Sequence, residues 1–264
     1  MLGKLLKHEF RATARVTLPM FAALLVLAVL GNLSTRMLEA TNVALLKILG
    51  SLIIAAFGAA LFAVCIMAVV IMVKRFHSNL LTNEGYLMFT LPVSVHSLVC
   101  SKIIVSVVWF IGTGLAVFVA LLIVTFRVEN VHKLLASTGE FFNLIFSQYS
   151  LDAAAISLEL LAMLLLSGAA VCLVFYASLA VGYSFTNSKG LKAVIFFFVF
   201  QFATQFIGTG LTILMGSHLD LYVPPNAAFL WHLIVAIIVA ALLLYCAVFY
   251  VITTSFLQKR LNLE

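Results

Sequence analysis

LLKILGSLIIAAFGAALFAVCIMAVVIMV, residues 45–73, decides the class of this chain. After Lys47, no charged side chain appears until Lys74. Soluble helices alternate apolar and polar faces, and this stretch has no polar face. A run of 29 residues exceeds the ~20 that cross a bilayer as a helix. The segment reads as a transmembrane helix that tilts or protrudes.

Five further runs repeat the pattern: Val16–Leu33, Ile103–Phe126, Ala153–Tyr183, Ala193–Met215 and Phe229–Ile252. With Leu45–Val73 they make six spans. Composition agrees. Of the 264 residues 65% are hydrophobic and 9% charged, against about 45–50% and about 25% in soluble domains. So few charges cannot cover a water-soluble surface of this size. A soluble globule, a disordered chain and a disulfide scaffold are excluded. The expected fold is all-α and polytopic: one domain over 1–264, with the lipid bilayer as solvent.

The net charge is +6, but the basic residues sit between apolar runs, which points to membrane topology rather than to nucleic acid. With a cytosolic N-terminus, the inner segments hold eleven Lys and Arg, from Lys4, Lys7, Arg11 and Arg15 to Lys259 and Arg260. The outer segments hold four: Arg36, Lys47, Arg127 and Lys133. That bias places both termini in the cytosol. A signal peptide is not expected, because the basic region is long and helix-patterned and no small-x-small cleavage site follows the first span. In residues 1–15, Leu2, Leu5, Leu6 and Phe10 share a helical face, while Lys4, Lys7, Arg11 and Arg15 occupy the others. The pattern fits an amphipathic helix on the inner leaflet, its bases near anionic headgroups. It serves either as a topology anchor or as an elbow leading into the first span.

Enzyme signatures are missing. There is no phosphate-binding glycine loop, no His-Glu-x-x-His zinc pair and no Gly-x-Ser-x-Gly elbow. The six histidines scatter at or beyond span ends, and Cys65, Cys100, Cys172 and Cys246 form no CxxC pair. No metal site is expected. Glu159 is the only acid within an apolar run. It reads either as an exposed acid near the outer headgroups or as the ionisable group of an ion-coupled carrier.

Residues 76–94, after the second span, are the most informative. Asn83-Glu84-Gly85 gives a turn signal, and Tyr86, Leu87, Met88, Phe89 and Leu91 follow at once. Pro92 stops a helix there, and Ser94 is placed to cap the next. A short helix presenting large apolar side chains to the cytosol marks a docking site. The alternative is a loop folded back on the membrane.

The chain resembles permease subunits of bacterial type-2 ATP-binding-cassette exporters. The likeness rests on Lys4-Leu5-Leu6-Lys7-His8-Glu9-Phe10-Arg11, on the six spans, and on the run from Glu84-Gly85-Tyr86-Leu87-Met88-Phe89-Thr90-Leu91-Pro92-Val93-Ser94 to Ser101-Lys102-Ile103. The resemblance implies a coupling helix that begins at Glu84 and Gly85 and contacts a cytosolic ATPase through Tyr86, Leu87 and Phe89. It also implies a dimer of permeases, identical or different, in a bacterial inner membrane. ATP and Mg would be bound by the partner ATPase and no cofactor by this chain, a transport subunit rather than an enzyme. Gln201 and Gln205, one turn apart, lie with Thr204 and Thr209 on the fifth run. Together with Ser51 on the second, they either line a path for a hydrophobic drug, peptide or lipid or cross-link helices. A membrane sensor that binds a hydrophobic peptide without ATP is the rival of another class.

Overall fold

The computed structural model describes residues 2–40, 42–90, 93–126, 136–140, 143, 153–218 and 227–259. Helices dominate: α1 (Leu2–Ala40), α2 (Ala44–Leu80), α3 (Asn83–Thr90), α4 (Val95–Val124), α5 (Ala153–Gly182), α6 (Lys189–His218) and α7 (Ala227–Lys259). There is no strand among the described residues. Six helices are long and apolar enough to cross a membrane, and the short α3 separates the second from the third. In hydrocarbon a helix satisfies every backbone group within itself, which is why a chain of this composition folds this way.

The six apolar runs are recovered, but most of the helices extend beyond them. α2 continues past Val73 through Lys74, Arg75 and His77 to Leu80. Hydropathy marks where a helix is apolar, not where it ends. Residues 2–15 are not set off as a helix of their own. From Leu2 onward they are continuous with the first span in α1. Nothing between Arg11 and Leu18 breaks a helix, and α1 runs on through Pro19, which lacks the N–H that would bond to Arg15. The turn expected at Asn83-Glu84-Gly85 lies one step earlier, at residues 81–82, so these three open α3. Ser94 caps α4 as expected: its Oγ accepts from the Ser97 N–H at 3.3 Å.

The chain divides into two compact units. The first takes in residues 1–72 and 104–142, and the second 73–103 and 143–264. In the first, Leu24 and Ala28 of α1, Phe57 and Val64 of α2 and Ala120 of α4 form the core. Trp109 of α4 packs against Phe10 and Phe21 of α1, and its indole N–H donates to Thr13 Oγ1 at 2.7 Å. Polar side chains of α1 finish α4. Asn32 donates to the carbonyls of Val124 and Phe126 at 3.0 and 3.1 Å, and Arg36 donates to that of Phe126 at 3.2 Å. Carbonyls in the last turn have no partner within their own helix, and these side chains supply one.

In the second unit, α5 packs against both α6 and α7. Leu173, Val174 and Ala177 of α5 and Phe249 of α7 form its core, and Phe197 and Phe200 of α6 pack against it. Gly182 ends α5 with its Cα hard against α6. A Cβ there would fall 2.4–2.6 Å from atoms of Ala193, so no side chain fits. Residues 183–188 then turn the chain, and Ser188 takes a left-handed φ of 53°.

Candidate functional site

The expected docking segment is a helix, and its corner is tightly built. The Gly85 N–H donates to the Thr82 carbonyl at 2.8 Å. A Cβ on Gly85 would lie 2.5 Å from the Leu80 carbonyl oxygen, closer than real Cβ contacts come. Only glycine lets α3 sit on the end of α2. Leu80 and Leu81 are buried beneath that corner. Leu87 is 68% exposed, while Met88 is half-buried. The side chains of Glu84, Tyr86 and Phe89 and the placement of Leu91 and Pro92 lie outside the described residues.

The end of α2 that carries α3 is tied to α5 by aromatic contacts. Phe76 and Tyr176 are both fully buried, and their rings stack at 4.0 Å with 9° between the planes. His77 hydrogen-bonds the phenol of Tyr183, just beyond α5. Asn79, also buried, has a partner as well. Tyr250 of α7 meets the ring nitrogen of His96 at 2.9 Å and the Cys100 sulfur at 3.6 Å, both on α4.

On α6, Gln201 and Gln205 are exposed on one face of the helix. The structure does not bury them as cross-links within the chain. Half-buried Thr204 donates to the carbonyls of Phe200 and Gln201 at 2.8 and 3.0 Å, and Thr209 is exposed yet engaged. Around them stand Phe198, Phe202 and Phe206, all more than half exposed. Ser51 on α2 is exposed, with its hydroxyl bonded back to Ile48 O at 2.8 Å. Among the glycines of the apolar runs, small enough to permit close helix contact, a side chain at Gly50 would meet Leu38, whereas Gly58, Gly114, Gly208 and Gly210 have open space beside them.

Lys4, Lys7, Arg11 and Arg15 are exposed along α1. The opposite side is less apolar than its leucines suggest. Glu9, Thr13 and Thr17, at one-turn spacing, are buried, and Thr13 and Thr17 bond back along the helix at 2.8 and 3.1 Å. Glu9 is 6% exposed and Lys102 of α4 is 3% exposed. Each is engaged by other groups of the protein, as a buried charge must be. In the sequence both appear only as members of the two resemblance motifs, and nothing in those motifs marks them as buried. Their helix register was the available clue.

Glu159 is neither exposed nor alone. It is 22% exposed, and its two oxygens take different donors from α7. His232 Nδ1 lies 2.6 Å from Oε1, and Trp231 Nε1 donates to Oε2 at 3.2 Å. Trp231 and His232 open the sixth apolar run as an ordinary interfacial pair, and no local signal links them to an acid 73 residues earlier. Cys65 is exposed and Cys172 is buried. Among the described residues no three His, Cys, Asp or Glu side chains gather as metal ligands. Phe141, Phe142, Ile145, Phe146 and Tyr149 recur at helical spacing, which suggests an amphipathic segment on the outer leaflet, and Val223-Pro224-Pro225-Asn226 suggests a rigid turn. Both stretches lie outside the described residues, apart from a helical Asn143.

Comparison with protein-family models, with curated proteins and with solved structures finds no match for this chain. The residues themselves therefore carry the functional argument.

Proposed function

We propose that this chain is the membrane-spanning subunit of an ATP-driven exporter, with α3 as the seat of a separate cytosolic ATPase. One observation carries the reading: a short helix between the second and third spans holds Leu87 68% exposed while Gly85 locks its base to α2. A large apolar side chain on a fixed helix is the kind of anchor that fills a partner's pocket. The resemblance in residues 84–102 names that partner as an ATPase, and the lack of a nucleotide loop makes borrowed hydrolysis necessary.

In this reading both termini and α3 face the cytosol of a bacterial inner membrane, as the Lys and Arg bias indicates. Lys4, Lys7, Arg11 and Arg15 meet anionic headgroups from an exposed face of α1. Six spans make half a pore, so two permeases, identical or different, pair with two ATPases that bind ATP and Mg. Gln201 and Gln205 face away from their own chain. Amides in lipid seek protein or water, so they face the second permease or the path of a hydrophobic drug, peptide or lipid. ATP closes the ATPases together, α3 moves with them, and the spans alternate between inward- and outward-open. The carrier reading would need Glu159 to exchange a cation. Its carboxylate is already held by two donors, which favours a structural part.

The test is a pull-down in mild detergent from the membranes of the organism that makes the protein. Tagged wild type is expected to recover an ATP-hydrolysing protein. Leu87→Asp should weaken that capture by about 2 kcal/mol, roughly thirtyfold, as loss of an interface anchor does. Recovery of no ATPase by wild type, under conditions that preserve other membrane complexes, would sink the exporter reading and bring the sensor forward.

A further inference from the structure

A displacement of α3 must cross the membrane to change access on the far side, and the contacts in the second unit single out one helix for that task. α5 is gripped at one end by the segment that carries α3. Phe76 stacks on Tyr176, His77 holds Tyr183, and Gly85 sits on Leu80 with no room for a methyl group. At its other end α5 is gripped by α7: Glu159 takes both Trp231 and His232. Between Glu159 and the end of α5 at Gly182 lies about 35 Å of helix, enough to span the ~30 Å hydrocarbon core. α5 also has the most buried apolar stretch of the six spans, 33% against 22% or less in the others. The buried residues lie in the half from Ala170 to Gly182, nearest α3, and the far half is held by Glu159. A rigid helix tied at both ends can carry a displacement from one to the other.

We infer that α5 is the rod that delivers the movement of α3 to the distal end of α7. Phe76, Tyr176, His77 and Tyr183 position its near end and Glu159 its far end. This rests on α3 being the ATPase seat. The near grip is aromatic and buried, which resists shear. The far grip is a carboxylate held by two donors of α7, which ties the ends of α5 and α7 so that they move together. These are positioning residues: they touch neither ATP nor cargo.

The test uses the captured permease–ATPase complex. The four native cysteines are replaced, and Leu233→Cys, beside His232 and half-exposed, carries an environment-sensitive bimane dye. In this background, ATP with Mg is expected to shift the dye emission. Tyr183→Phe and Phe76→Leu at the near grip, and Glu159→Gln at the far one, should each abolish most of that shift. Capture of the ATPase should stay within twofold of the parent. Capture kept and the shift undiminished in these variants overturns the rod, and so does capture with no shift in the parent. Failure of the parent to capture an ATPase overturns the docking reading and the rod together. A grip that served only folding would lower the melting temperature of each variant and leave its ATP-dependent shift in place, so that result also counts against the rod.

Discussion

The two compact units are held together by opposite means. In the first, small side chains let large ones close in. Ala28 and Ala120 are fully buried beside Leu24, Phe57 and Val64. In the second, aromatic rings fill the space. Phe76 stacks on Tyr176, Phe175 stacks on Phe197 at 4.6 Å, and Phe249 is flanked by Phe200 and Tyr245. Their polar contacts differ too. In the first unit, Asn32 and Arg36 donate to backbone carbonyls of α4 and Trp109 donates to a threonine. In the second, titratable side chains meet one another: His77 with Tyr183, His96 with Tyr250, Glu159 with His232. Backbone carbonyls never change charge state, so the first arrangement suits a fixed scaffold. Side-chain pairs can exchange partners, which suits a part that moves.

The contrast predicts which kind of change each unit fails under. The largest effect is expected from Tyr176→Ala, which would empty a fully enclosed ring site. It should cost about 3–5 kcal/mol, read as a lower melting temperature of the detergent-solubilised protein. Ala28→Leu in the first unit should cost about 1–3 kcal/mol by overpacking. A variant that melts like wild type would show the small-residue packing to be looser than drawn. The least effect on the isolated chain is expected from Gln201→Leu, whose amide is exposed: within about 0.5 kcal/mol. On the proposed exporter reading, any loss from that change should appear in pairing with a second copy or in transport, read by cross-linking or by flux. A large drop in the melting temperature of the monomer would instead mean that the amide holds its own chain together.

The spans were legible because lipid imposes one structure on a long apolar run. Leu45–Val73 needed no partner to be read as a helix. The short helix at Asn83–Thr90 was legible from its apolar cluster, although its start was misplaced. Asn-Glu-Gly favours a turn in isolation, and the close seat of Gly85 on Leu80 draws these residues into the helix instead. The grips on α5 were not legible. Tyr183 meets a histidine 106 positions earlier and Glu159 one 73 positions later. Such pairs are set by how helices pack, and hydropathy carries no record of which face meets which. Glu159 was singled out for the right reason, a charge in an apolar run, but its burial and its donors belong to tertiary structure.

The capping of α4 by α1 has a consequence for biogenesis. Asn32 precedes its acceptor Val124 by 92 residues. At the ~5–20 residues per second of synthesis, the ribosome needs about 5–20 s to deliver that acceptor. For that interval the first helix waits in or beside the bilayer without that acceptor. The intervening stretch of the second unit, residues 73–103, is made during the same wait. The first unit is thus begun early and closed late, and the Asn32 amide, at a partly exposed site, exchanges other partners for the α4 carbonyls only when α4 arrives.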